Sequence, residues 1–187
     1  RQNIMSQSKQ IVNSKEFRIM IERLAYQLIE NHSDFSDTIL VGLQPRGIEF
    51  TRRLIDELHR IPGIQNILSG SLDITFFRDD FGRRDTPIQA QEIDMNFSVE
   101  GKRVVLIDDV LFTGRSVRSA LDALMIFGRP EEVELMVLID RRLKTPLPIE
   151  PNYVGQIIDS IASEKVVVRW DSEHDDDEII LLKSIEE

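Results

Sequence analysis

The stretch VVLIDDVLFTGRSVRSALDAL, Val104 to Leu124, decides how the rest of the chain reads. Its first four residues form a continuous apolar run, the mark of a strand buried on both faces. Two adjacent acids, Asp108 and Asp109, close that run, and Thr113, Gly114, Arg115 and Ser116 follow before apolar residues resume at helical spacing. The helix is predicted over Ser116 to Phe127, with Gly128 just past its end and Pro130 beyond it. VELMVLID, residues 133–140, then supplies a second buried strand. Strand, helix and strand make a β-α-β unit, whose two strands must run parallel.

Upstream, Phe17, Met20, Ile21, Leu24, Ala25, Leu28 and Ile29 recur at helical spacing, which predicts an amphipathic helix capped by Ser14 and ending near Asn31 and His32. TILVGL, Thr38 to Leu43, reads as another buried strand, and Gly42 and Gly47 bracket a tight turn after it. A second helix carries Phe50, Leu54, Ile55 and Leu58 on one face and breaks before Pro62 and Gly63. SLDITFF, Ser71 to Phe77, alternates like a half-buried strand at a sheet edge. The charged, aperiodic run RDDFGRRDTPIQAQ, residues 78–91, is long enough to be a functional lid. Beyond Asp140, SEKVVVRW and EIILL read as strands joined by the acidic connection DSEHDDDE. The expectation is an α/β fold with a mainly parallel sheet flanked by helices and a small C-terminal β appendage. It is a single domain over residues 1–187, with a core at 14–140 and the appendage at 141–187.

With 41% hydrophobic and 30% charged residues in 187, the composition is that of a soluble globular chain, and no apolar run approaches the roughly 20 residues of a membrane helix. The polar N-terminal residues lack a secretory pattern, and the absence of cysteine fits a reducing cytoplasm. A formal charge of −10 disfavours indiscriminate nucleic-acid binding and favours small-molecule partners. Walker and dinucleotide glycine motifs are missing, which disfavours an NTPase or a dehydrogenase. His32, His59 and His174 lack ligand spacing and read as ordinary surface residues.

In open α/β sheets, ligands bind at the carboxyl ends of the strands. A helix N-terminus there offers unpaired N–H groups and partial positive charge, so Thr113 to Ser116 suit a phosphate, with Gly114 permitting close backbone approach. Carboxylates repel phosphate, so Asp108 and Asp109 must serve another part of the same ligand. The vicinal hydroxyls of a ribose donate hydrogen bonds and match two adjacent acids. The motif therefore describes a cradle for ribose 5-phosphate; the structural alternative is a plain helix cap after a charged strand end.

These residues resemble the phosphoribosyl pyrophosphate signature of type I phosphoribosyltransferases. ILVGLQPRGIEFTRRL, SLDITFFRDD, LMVLIDRR and LPIEPNYVG are similar to the PyrR family, pyrimidine operon attenuation regulators with uracil phosphoribosyltransferase activity. The likeness runs from about Ser14 to Leu182. It implies uracil and phosphoribosyl pyrophosphate as substrates, UMP and pyrophosphate as products, and UMP or UTP-type nucleotides as ligands. By the same likeness, Asp108 and Asp109 hold ribose, Thr113 to Ser116 hold the 5-phosphate, and Gln44, Pro45, Arg46 and Gly47 hold pyrophosphate. Arg46, Arg78 and Asp109 are the implied catalytic residues. Mg2+ is implied as cofactor, reached through water by Asp79 and Asp80, and Asp140, Arg141, Tyr153 and Ile158 are expected beside the base. Lid residues Arg83 and Arg84 are either lid contacts or solvated. The family implies a homodimer or higher assembly.

The resemblance breaks at two places that in the family touch messenger leader RNA. A threonine before the loop arginine is replaced by Pro45, and a Gly-His pair by Arg142 and Leu143. Arg52, Arg53, Arg60, Arg141, Arg142 and Lys144 either form a basic face for that RNA or are solvated helix and loop charges.

Overall fold

The computed structural model describes residues 6–74, 97–142, 146–161 and 163–184. In chain order the elements are β1 (Ser6–Val12), α1 (Ser14–His32), β2 (Thr38–Gln44), α2 (Gly47–His59), β3 (Leu68–Asp73) and β4 (Arg103–Leu111). They continue with α3 (Arg115–Leu124), β5 (Glu132–Arg141), β6 (Tyr153–Ile158), β7 (Glu164–Arg169) and β8 (Glu178–Ser184). Five strands form a parallel sheet in the order β3-β2-β4-β5-β6, and three form an antiparallel sheet in the order β1-β8-β7.

Alternation along the buried strands builds a core on each face of the parallel sheet. Ile39, Val41, Leu43, Val104, Leu106 and Val137 pack with Val117, Ala120, Ala123 and Leu124 of α3. Leu40, Val105, Ile107, Met136 and Leu138 point the other way, onto Phe17, Leu24 and Leu28 of α1 and Phe50, Leu54 and Leu58 of α2. Val166, Ile179 and Leu181 join this second core, so the antiparallel sheet is fused to the domain rather than tethered to it. Trp170 completes the contact, edge-on to Phe17 at 5.2 Å and stacked near Phe50 at 6.4 Å between ring centres.

The expected fold class is the observed one, with differences in detail. α1 is capped by Asn13, not Ser14: Asn13 Oδ1 accepts from the Glu16 N–H and the Glu16 carboxylate accepts from the Asn13 N–H, each at 3.0 Å. α3 ends at Leu124, and Met125–Phe127 continue it as one tighter 3-10 turn. β3 is the edge strand expected, but it begins at Leu68, and Thr75 to Phe77 lie outside the described residues. The boundary at residue 141 does not coincide with a sheet boundary. β6 pairs with β5 as the fifth strand of the main sheet, and the small sheet takes β1 from the other end of the chain. β1 had no legible pattern because Val12 alone is buried among its described side chains, so no period of two is written into SQSKQIV.

His32 also departs from expectation. It is buried at the end of α1, with Nδ1 2.9 Å from Thr38 Oγ1 and Nε2 2.6 Å from Glu134. Tyr153 Oη donates to the same Glu134 carboxylate at 3.0 Å, and Arg103 approaches it at 3.8 Å. This network ties α1 to the amino ends of β2, β4, β5 and β6. His59 and His174 are exposed as expected.

Candidate active site

The sheet order places a switch point between β2 and β4. From β2 the chain crosses through α2 to β3 on one side, and later β4 pairs on the other side of β2. The two connections leaving β2 and β4 therefore diverge, and a crevice opens at their carboxyl ends. Pairing of β2 with β4 stops at Gly42 and Ile107, and Asp108, Asp109 and Val110 of β4 border that crevice. A cavity of about 300 Å3 lies there, lined by Gln44, Pro45, Arg46, Asp108, Asp109, Val110, Ser116 and Ile74.

Two backbone approaches shape it. A Cβ on Gly47 would overlap the Ile107 carbonyl, so glycine lets the start of α2 lie directly on β4. Gly114 has φ +78° and precedes α3, where a Cβ would stand 2.9 Å from Ile149 Cδ1. Both helices begin without a side-chain cap, in contrast to the fully capped α1. The positive ends of both helix dipoles are directed toward the crevice. The Thr113 hydroxyl reaches only a long 3.4 Å contact with the Arg115 N–H.

The acids sit between these two helix starts. Asp109 is buried and Asp108 partly buried, and each accepts from the next residue's N–H, Asp109 N to Asp108 Oδ1 at 2.9 Å and Val110 N to Asp109 Oδ1 at 2.7 Å. Burial, followed by the neighbouring Asp109 charge, pushes the Asp108 carboxyl up to about 8. Burial also raises Asp109, while the Val110 N–H and the Arg46 guanidinium pull it back. Two carboxyls poised above their ordinary range, beside an exposed arginine, form a site held ready for hydroxyl donors or cationic charge.

A second cavity of about 290 Å3 shares Pro45, Arg46 and Asp109 and extends toward Glu49 on one side and Lys165, Val167, Val168 and Trp170 on the other. It lies between the core and β7, against the acid expected to hold the ribose. Sequence reasoning missed Lys165 and Trp170, because the alternation in EKVVVR shows that β7 has two faces but not which one meets the crevice.

A family model described as the phosphoribosyl transferase domain matches residues 7–173. The chain belongs to the phosphoribosyl transferase domain family. Among curated relatives of this phosphoribosyltransferase, the Bifunctional protein PyrR of Halalkalibacterium halodurans is 41% identical over 176 residues, covering 93% of this chain and 97% of its own. Its namesake in Enterococcus faecalis is 37% identical over 178 residues, covering 95% and 98%. That of Chloroflexus aurantiacus is 38% identical over 179 residues, covering 96% and 97%. Among solved structures, the hypoxanthine phosphoribosyltransferase of Trypanosoma cruzi superposes with a TM-score of 0.68 at 17% identity, covering 95% of this chain and 97% of that one. The Staphylococcus aureus enzyme of the same name gives 0.61 at 20%, covering 80% and 77%. These two likenesses concern the fold.

The phosphoribosyltransferase brings Gln44, Pro45, Arg46, Asp108, Asp109 and Ser116 to one crevice, with Gly47 next after Arg46 and Thr113, Gly114 and Arg115 just before Ser116 in the chain. The four residues expected beside the base are not brought there together. Tyr153 opens β6 opposite Met136, midway along β5, and its hydroxyl is held by Asn31, His32 and Glu134 on the amino side; this corrects the expectation. Arg141 is likewise corrected. Its buried guanidinium donates to Ser160 Oγ at 2.7 Å and to the carbonyls of Ile161 and Glu164 at 3.0 and 2.8 Å, and lies 4.0 Å from the Phe112 ring centre. It clamps the β6–β7 connection. Ile158 is buried in the core, and Asp140, raised by burial against the pull of Arg142, lines neither cavity. Arg78, Asp79, Asp80, Arg83, Arg84, Leu143 and Lys144 lie outside the described residues, as does the candidate lid at 78–91.

Proposed function

We propose that this phosphoribosyltransferase joins uracil to phosphoribosyl pyrophosphate, giving UMP and pyrophosphate. The observation that carries the reading is the acid pair Asp108 and Asp109 set between two uncapped helix starts at the switch point. One uncapped end suits each phosphate-bearing arm of the substrate, and the acids suit the ribose hydroxyls between them. The name shared by the relatives, and the motifs of the PyrR family, support uracil as the base.

In this reading Thr113 to Ser116 hold the 5-phosphate, and the Gly47 end of α2 with Arg46 holds the pyrophosphate arm. As the bond from C1 to pyrophosphate breaks, the ribose gains positive character and the leaving oxygen gains negative charge. Asp109 faces the first, and Arg46 with the α2 N-terminus faces the second, so catalysis is mainly electrostatic. Uracil N1 forms the new bond to C1 and gives up its proton. The cavity beside Asp109 gives the base a place, with Lys165 able to donate to a ring carbonyl and Val167 and Trp170 offering apolar surface. Asp108 and Asp109 also fit Mg2+, since magnesium takes one or two carboxylates plus substrate oxygens and needs no all-protein cage. When bound, it would neutralise charge on the pyrophosphate.

The relatives' bifunctional name supports a regulatory role on pyrimidine operon leader RNA beside catalysis. In this chain such a role would need cations other than several expected ones. Arg52 pairs with Glu49 and Asp56, Arg53 with Asp177, and Arg60 with Glu57.

The test is formation of labelled UMP from uracil, phosphoribosyl pyrophosphate and Mg2+, with hypoxanthine and guanine as competitors. UMP from wild type and a loss of at least about a hundredfold in Asp109→Ala are expected. Product from a purine alone would move the base assignment, and undiminished UMP from the variant would remove the acid pair from the mechanism.

A further inference from the structure

Before β6 the chain runs through Pro146, Leu147, Pro148, Ile149, Glu150, Pro151 and Asn152. Three prolines in seven residues fix much of the backbone of this strap. Its far end is fastened to β5 by a reciprocal pair: Asn152 N–H donates to the Leu135 carbonyl at 2.8 Å, and the Leu135 N–H donates to Asn152 Oδ1 at 2.9 Å. Between the prolines the Ile149 N–H closes a turn onto the Leu147 carbonyl at 2.8 Å.

This stiffened segment presses one side chain against the phosphate loop. The three heavy atoms nearest to where a Gly114 Cβ would stand all belong to Ile149: Cδ1 at 2.9 Å, and Cβ and Cγ1 at 3.5 Å. Ile149 also packs against the core cluster that contains Val117 of α3. Gly114 is the left-handed residue that turns β4 into α3, and its φ of +78° sets the direction of the N–H groups that follow. A glycine so placed has other conformations open to it, and the loop has no side-chain cap of its own.

We propose that Ile149 is a positioning residue for the 5-phosphate, bracing Gly114 so that the start of α3 is already aligned when the ligand arrives. The inference rests on reading Thr113 to Ser116 as the phosphate loop, and it adds a residue from a distant segment with no polar contact to the ligand. Truncation to alanine leaves Gly114 unbraced. If the competent loop conformation then falls to roughly a tenth of the population, affinity for the phosphate arm falls about tenfold.

The experiment measures binding of ribose 5-phosphate and, separately, of inorganic pyrophosphate by calorimetry, for wild type, Ile149→Ala and Ile149→Val. The two probes use different halves of the crevice. Ile149→Ala is expected to weaken ribose 5-phosphate about tenfold and leave pyrophosphate within about twofold, with Ile149→Val restoring most of the loss. Turnover should show KM for phosphoribosyl pyrophosphate raised and KM for uracil kept. Equal weakening of both probes, or ribose 5-phosphate bound as in wild type, overturns the proposal. Wild type that binds pyrophosphate but not ribose 5-phosphate overturns instead the reading of the phosphate loop, and this inference with it.

Discussion

Replacing Asp108 by asparagine separates what the acid does for the ligand from what it costs the fold. Asparagine keeps an Oδ1 acceptor for the Asp109 N–H, 2.9 Å away, so the turn at the end of β4 survives. In the folded chain the Asp108 carboxyl sits at about 8, against an ordinary 3.8, because of burial and the Asp109 charge. The folded protein therefore keeps a proton that the unfolded chain releases above about pH 4. Wild-type stability is fully present below that point, declines as pH rises toward about 8, and levels off above it. Some 4 units at about 1.4 kcal/mol each set a ceiling of about 6 kcal/mol at pH 8. Asp108 is only partly buried and Arg46 is close, so solvent and pairing reduce this to about 2 kcal/mol. Asp108→Asn should then unfold about 4 to 8 °C above wild type at pH 8, with the gain smaller by about a third at pH 5 and lost as the pH falls below about 4. Thermal unfolding of ligand-free protein at one-unit steps from pH 5 to 9 reads this directly. UMP formation should fall in the same variant by at least about tenfold, because an amide cannot ionise when the ligand's hydroxyls arrive and so forgoes one charge-assisted hydrogen bond. A variant no more stable than wild type at pH 8, or a gain that does not grow between pH 5 and 8, refutes the reasoning.

Gly47→Ala drives a methyl group into the Ile107 carbonyl and must push α2 off β4; a loss of about 2 to 4 kcal/mol in urea unfolding and a raised KM for phosphoribosyl pyrophosphate are expected. Arg141→Lys cannot span Ser160 Oγ and the carbonyls of Ile161 and Glu164 with one ammonium group, so stability should fall by about 2 kcal/mol. Because that guanidinium is engaged by Ser160, Ile161 and Glu164, KM for uracil should stay within about twofold in the same variant, and a large rise would return Arg141 to the base site.

Much of the candidate site was legible from Val104 to Leu124 alone. A strand buried on both faces has to be apolar throughout, so the first residue that is not apolar marks where it leaves the core. When that residue is an acid followed by another acid and then Thr-Gly-Arg-Ser, chemistry and geometry are written in the same short segment. The base side was not legible in the same way. The family likeness groups Asp140, Arg141, Tyr153 and Ile158 beside the base, but Tyr153 opens β6 level with Met136 and its hydroxyl is taken by Asn31, His32 and Glu134. Arg141 looked like a free cation and is an internal clamp. His32 looked like a helix-end surface residue and is buried, because partners for its ring come from Thr38 and Glu134, 6 and 102 residues away.

The sequence by itself determined most of the local grammar: which apolar runs are strands, where the helices lie, and which residues stand at the strand end proposed to hold ribose phosphate. Those follow from periodicity, glycine and charge, which act over a few residues. Only the tertiary structure decided which strands became neighbours. It put β1 beside β8, β6 in the main sheet, β7 across from Asp109, and Ile149 against Gly114. Such pairings depend on how two cores close around one sheet, and the residues that make them carry no mark until the fold brings them together.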